Sequence, residues 1–184
     1  TASRLAEDAE LLGGTPSAIV GTESFHWSLG VPRRSFGGAA ELLADLVLDP
    51  AFPDEGVDAE RAVTIASIAA MRDDMYRQPL RLAAMLAWPD HPYGRSTLGA
   101  EESVGTLTPD ALREWHVARV RESAAVLCAV GDLDPQQAAD VLAKRFAGLR
   151  LRSDPTLPPP AWPSKFVSTV EQRDKAQTAL AMLF

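Results

Sequence analysis

The side chains best suited to hold a metal or move a proton are His26, His91, His116, Cys128 and two adjacent acid pairs, Asp73-Asp74 and Glu101-Glu102. A metal needs several of these to converge, and no histidine has another within one helical turn. His116 follows Trp115 and lies four residues after Leu112, which predicts a packing histidine on a helix. His26 falls on the polar side of an alternating stretch and is expected to be exposed, whereas His91 precedes Pro92 and is expected to position a turn. Adjacent acids diverge by about 100° on a helix, so the two acid pairs read as solvated surface. Nucleophile chemistry fares no better. Gly94-Arg95-Ser96-Thr97-Leu98 has Leu where a nucleophile elbow needs its second glycine, and no strand precedes it. Cys128 sits inside the apolar run Ala124–Val130, which predicts a buried strand thiol rather than a thiolate. Gly131-Asp132 lacks the further glycines that let a pyrophosphate approach. The residues alone assemble no catalytic constellation.

The elements that would position these side chains are legible from periodicity. Leu5, Ala9 and Leu12 define an amphipathic helix over residues 3–12, stopped by Gly13-Gly14. From Ser24 the sequence alternates, with Phe25, Trp27, Leu29 and Val31 on one face, which predicts a strand paired with Ser17–Thr22. Ser35 can cap a helix carrying Phe36, Ala39, Leu43, Leu46 and Val47, closed by Asp49-Pro50. Further helices are expected over about 58–72 and 78–88. Two more start at Thr108-Pro109-Asp110 and at Asp134-Pro135-Gln136-Gln137, where a capping side chain precedes a proline at the first helical position. Ala124–Val130 suits a central strand, and Lys165–Val170 and Ala176–Phe184 also read as strands. The fold class expected is α+β, a mostly antiparallel sheet with helices packed on one face. The expected organisation is a half-domain over residues 1–151, a proline-rich connector over 152–164, and strands over 165–184 that open a following segment.

Composition narrows the classes. With 46% hydrophobic and 23% charged residues, the 184-residue chain is of globular type and long enough to bury its own core. Its net charge of −7 repels phosphate, so nucleic acid and anionic membranes are excluded as expected partners. No apolar stretch reaches the length of a membrane span, and localisation is not encoded.

Several stretches, taken in order, resemble the amino-terminal half-domain of the pitrilysin/insulinase family, the inverted-motif zinc peptidases that include the mitochondrial processing peptidase. They are Leu42-Leu-Ala-Asp-Leu-Val-Leu-Asp-Pro-Ala-Phe52, Ala59-Glu-Arg-Ala-Val63, Arg72-Asp-Asp74, His91-Pro-Tyr-Gly-Arg95, Gly99-Ala-Glu-Glu-Ser-Val104, Leu107-Thr-Pro-Asp-Ala-Leu112 and Val130-Gly-Asp-Leu-Asp134. Gln177-Thr-Ala-Leu-Ala looks like the strand opening the next segment. The resemblance implies an α+β half-domain that pairs with a second half around a peptide chamber.

It also implies a zinc chemistry that this chain departs from. The family holds zinc with His-x-x-Glu-His on one helix and with a Glu on a later helix, seven residues after the Glu of a Glu-Arg pair. Glu60-Arg61 matches that pair, and the ligand position then falls on Ser67, a poor zinc ligand. Glu60 is either a retained acid that would support the metal ligands or an ordinary surface acid. The histidine motif would lie upstream of Leu11-Leu-Gly-Gly14, so no cofactor is expected in this chain and zinc is expected only in a catalytic partner half. Ser17, Ala18, Ile19, Val20, Gly21 and Thr22 fall where the family's peptide-receiving edge strand falls, and could equally be an ordinary core hairpin strand. Three functions stay open: a non-catalytic half that binds peptide or unfolded protein beside a catalytic half or subunit, a piece of an active zinc endopeptidase, and a structural core-type subunit.

Overall fold

A computed structural model describes residues 2–150 and 158–184 of the chain. The described residues divide into two compact units, 2–54 with 108–150 and 55–107 with 158–184.

In the first unit, helix α1 (Ala2–Leu12) ends in a Schellman motif. Gly13 takes φ +79°, its amide donates to the Glu10 carbonyl at 2.9 Å, and the Gly14 amide donates to the Ala9 carbonyl at 3.0 Å. Strands β1 (Pro16–Val20) and β2 (Phe25–Leu29) follow as an antiparallel hairpin in which Ala18 faces Trp27 and Val20 faces Phe25. A side chain at Gly14 would place its Cβ 2.3 Å from the Gly30 carbonyl oxygen, so only glycine lets the chain close the base of this hairpin.

Helix α2 (Phe36–Leu48) lies against β2 and is entered through a 3-10 turn, Arg33–Ser35. Ser35 occupies the cap position, but its hydroxyl makes no capping bond, a correction to the expected role: the 3-10 turn has already turned the chain into the helix. Helix α7 (Pro135–Arg145) packs on α2, and the Arg145–Glu41 ion pair at 2.8 Å joins them. Ala44, Val47 and Phe146 form the buried cluster between them, with Trp27, Leu142 and Val120 packed around it. Helix α6 (Pro109–His116) and α7 start as expected: Thr108 Oγ1 accepts from the Ala111 amide at 3.2 Å, and Asp134 Oδ1 accepts from the Gln137 amide at 2.8 Å. After α6 one π-helical turn covers Val117–Arg121.

In the second unit, α3 (Asp54–Asp73) is a 20-residue helix, followed by α4 (Arg77–Ala87) and the short α5 (Glu101–Gly105). Trp88 contacts Tyr93 at 6.0 Å and Trp162 at 5.0 Å between ring centroids. His91 does position a turn, its Nδ1 accepting from the Tyr93 amide at 3.2 Å. Residues 171–173 are tied to this unit through Glu171, which accepts from Gln78 Nε2 at 2.8 Å, and Arg173, whose guanidinium donates to the Arg72 carbonyl at the end of α3.

The fold class is α+β, with, among the described residues, a two-stranded antiparallel sheet and helices on one of its faces. Ala124–Val130, Lys165–Val170 and Ala176–Phe184, expected as strands, join no ladder among the described residues. A strand is stabilised by a neighbour's main chain and cross-strand side chains, and apolar composition alone supplies neither. Cys128 is accordingly exposed, against the expectation of a buried thiol. The expected connector lies outside the described residues over 152–157 and is irregular over 158–164.

Candidate functional site

The main-chain edge of β1 follows from how the hairpin closes. The Gly21 amide donates to the Ser24 carbonyl at 2.8 Å, so the main chain at residue 21 points toward β2. Main-chain polarity alternates along an antiparallel pair, which directs Ile19 and Ser17 toward β2 as well and turns the N–H and C=O of Ala18 and Val20 outward. No third strand lies on that outer edge among the described residues. The expected edge over Ser17–Thr22 is thereby shortened: β1 ends at Val20, and Gly21 and Thr22 belong to the turn because the Gly21–Ser24 bond has already begun to reverse the chain.

The two faces of the hairpin differ. Ser17 and Ile19 lie across from Ser28 and His26, and His26 is exposed and bonded to Ser24 Oγ at 2.9 Å. On the other face Phe25 stacks on Trp27 at 5.9 Å and meets Trp115 of α6 edge-on at 5.4 Å. Trp27 in turn packs on the α2–α7 core. The edge is therefore mounted on an aromatic base, and Trp115 is a support that its place beside His116 in sequence did not disclose.

That base is fixed by polar contacts around the end of α2. His116 is buried at 7% exposure, and its Nε2 donates to the Val47 carbonyl at 2.9 Å, satisfying one of the acceptors left free in the last turn of α2. The packing role expected for His116 holds. Burial is the main cause lowering its pKa, aided by Arg121 and opposed by the Val47 carbonyl and Asp49. Phe52 meets His116 edge-on at 5.9 Å and takes φ +41°, a backbone conformation that costs a non-glycine residue free energy. Arg113 Nη2 holds it there, donating to the Ala51 carbonyl at 3.3 Å and the Phe52 carbonyl at 3.0 Å. A single arginine reaching across 61 residues of sequence leaves no local pattern, and sequence reasoning missed it.

Glu60 and Ser67, the two positions singled out by the family pattern, lie on α3. Glu60 is exposed, while Ser67 is half-buried and donates its hydroxyl to the Val63 carbonyl one turn earlier at 2.9 Å. Arg61 bonds to Asp58 at 2.5 Å and to the Leu107 carbonyl at 2.5 Å, so it serves the fold of this unit. His91 is engaged with the Tyr93 amide. Asp74, read as surface, has a further role: its carboxylate accepts from the Arg77 and Tyr76 amides at 2.9 and 2.8 Å, and these bonds hold its pKa below the ordinary carboxylate range. Among the described residues no three His, Cys, Asp or Glu side chains form a group that could hold a metal ion. The donors present on α3 do not fit a zinc ion.

Residues 1–101 match the family model described as Insulinase (Peptidase family M16). This chain belongs to that family. Residues 106–184 match the model described as the Peptidase M16 inactive domain. A Mycobacterium leprae protein described as an uncharacterized zinc protease is 30% identical over 86% of the chain and 36% of its own length. Subunit 1 of the cytochrome b-c1 complex from Bos taurus is 25% identical over 90% of the chain and 34% of its own length. The solved M16 inactive domain from Pseudomonas fluorescens superposes with a TM-score of 0.77 at 20% identity, covering 86% of this chain and 39% of that one, a likeness of fold. The chain spans about a third of the length of these curated relatives. No helix among the described residues is long and apolar enough to cross a membrane.

Proposed function

We propose that this chain is a non-catalytic portion of an insulinase-type assembly that docks extended peptide or unfolded protein on β1 and pairs with a second peptidase-like half or subunit. Zinc and the hydrolytic step belong to that catalytic partner. The observation that carries this reading is the outer edge of β1, where the main-chain groups of Ala18 and Val20 face away from β2 and no third strand among the described residues covers them. An added strand would hydrogen-bond to those groups whatever its side chains, which suits a protein that must accept many sequences. Ser67 supports the non-catalytic half of the reading, because its hydroxyl is used inside α3 and a carboxylate is missing from the position the family pattern gives to a ligand. The description of the matched M16 inactive domain agrees with it.

The test is fluorescence-anisotropy binding of a labelled, unstructured 15-to-20-residue peptide (a length of roughly 50–70 Å when extended) to the parent and to Val20→Pro. Proline at an outward position removes one edge donor and spares the bonds to β2. The expected result is binding by the parent, with no peptide cleavage, and weakened binding by the variant. Equal binding by a folded Val20→Pro would overturn the edge as the docking site, and chelator-sensitive cleavage by the purified chain would overturn the non-catalytic assignment.

A further inference from the structure

The same edge is chemically complementary to itself. From Gly13 to Thr22 the sequence has no charged residue, so nothing on this strip repels a second copy, although the chain carries a net charge of −7. Edge strands of monomeric proteins are ordinarily guarded by an inward charge, a bulge or a mid-strand proline. β1 has none of these between Ser17 and Val20, and its single proline, Pro16, is at its first position. Ile19 stands on the hairpin face away from the aromatic base and is 62% exposed.

Pro16 also selects a register. Two copies of β1 related by a two-fold axis can centre on Ala18, on Ile19 or on Val20. Centring on Ala18 sets Val20 opposite Pro16, which has no amide hydrogen to give to the Val20 carbonyl. Centring on Ile19 pairs Ala18 of each copy with Val20 of the other, so every outward donor and acceptor of both residues finds a partner. The two Ile19 side chains then meet across the axis at a non-hydrogen-bonded position, where opposing Cα atoms are about 4.5 Å apart. Gly21 falls opposite Ser17, and neither obstructs the approach. The two hairpins become one four-stranded sheet in the order β2-β1-β1-β2, a size at which sheets are stable, whereas a lone two-stranded sheet is marginal.

We infer that β1 pairs antiparallel with β1 of a second copy of this chain, centred on Ile19, and that this self-pairing occupies the edge offered to peptide. Only the second clause rests on the proposed peptide-docking function. At high chain concentration the dimer closes the edge, and a peptide must compete for it.

Cross-linking in the full chain tests the register without any peptide. In a Cys128→Ser background, which removes the exposed native thiol, Ile19→Cys should oxidise to an interchain disulfide, since about 4.5 Å lies within the Cα separations that disulfides span. Ser17→Cys in the same background should remain monomeric under the same oxidant. Cross-linking of neither, or of both equally, overturns the inferred register. Sedimentation velocity over a concentration series supplies the second measurement. Val20→Pro should raise the dimer dissociation constant roughly thirtyfold, the effect of losing two hydrogen bonds per dimer. Ile19→Lys places two like charges at the axis on an already exposed position and should also abolish the dimer while leaving the edge main chain intact. A parent that stays monomeric at every concentration overturns the inference and leaves peptide docking untouched. If Ile19→Lys loses the dimer and still binds peptide, both statements hold; if the dimer forms but neither parent nor variant binds peptide, self-pairing stands and the docking function falls.

Discussion

The hairpin at residues 16–29 and the run Ala124–Val130 have similar β-forming sequences and opposite fates. Ala124–Val130 is the more apolar of the two, yet Val126 and Val130 are 94% and 92% exposed and the run has no ladder partner among the described residues. The hairpin's two strands hold polar residues at three of their ten positions, Ser17, His26 and Ser28, and are paired throughout. The difference lies in who supplies the partner. A turn of four residues brings β2 back onto β1 with a small loop-closure cost, and Trp27 then attaches the pair to the α2–α7 core. Ala124–Val130 has no neighbour within turn distance and must recruit one from far away in the sequence or from another chain. Apolar content measures how much a segment gains from burial, and connectivity decides whether it is buried.

This contrast can be broken most directly by truncating one side chain from each region. Trp27→Ala should destabilise the first unit by about 3 kcal/mol, as loss of a large packed aromatic does. Val126→Ala should change stability by less than about 0.5 kcal/mol, the usual result for a surface position. Urea denaturation of the two variants measures both, and a cost for Val126→Ala similar to that for Trp27→Ala would mean the run is covered in solution.

The local closure of the hairpin can be sharpened at Gly14. Gly14→Ala drives a Cβ into the Gly30 carbonyl, a contact with backbone that cannot rotate away, and should cost about 2 kcal/mol. If the substitution is neutral, the hairpin base is looser than its contacts indicate. A smaller effect is expected at the start of α6, which carries Trp115 against the hairpin. Thr108→Ala removes the side-chain acceptor for the Ala111 amide and should cost about 1 kcal/mol, with Thr108→Ser restoring most of it.

The smallest effect expected is a pH dependence from His116. Burial lowers its folded-state pKa, so the unfolded chain binds this proton more readily than the folded one. Stability from this group is fully present above the unfolded value of about 6.5 and is lost as the pH falls below it toward the lowered folded value. Thermal denaturation between pH 7.5 and pH 5.5, above the range in which ordinary carboxylates titrate (about 4), should show Tm falling with pH. In His116→Gln that slope should disappear, and an unchanged slope would assign the effect to another group.

Much of the local structure was legible in the sequence. Helix α1 and its glycine stop, the hairpin, and the caps at Thr108 and Asp134 are each specified by residues within a few positions of one another. The family resemblance rested on local motifs in order, and it was legible for the same reason. The edge of β1 could be located from the family resemblance but not bounded. Its end at Val20 depends on the Gly21–Ser24 bond, which either of several turns could have replaced.

What the sequence by itself determined was therefore the hairpin and every α-helix but the short α5, because these depend on spacing along the chain. Only the tertiary structure decided which interactions act at a distance. It assigned Arg113 to the carbonyls of Ala51 and Phe52, His116 to the last turn of α2, Asp74 to the amides that open α4, and Trp115 to the hairpin. It also left Ala124–Val130 without a strand partner among the described residues. Hydrogen-bond donors, rings and strands take their partners from space, and a one-dimensional pattern records a residue's chemistry without recording what the fold brings to face it.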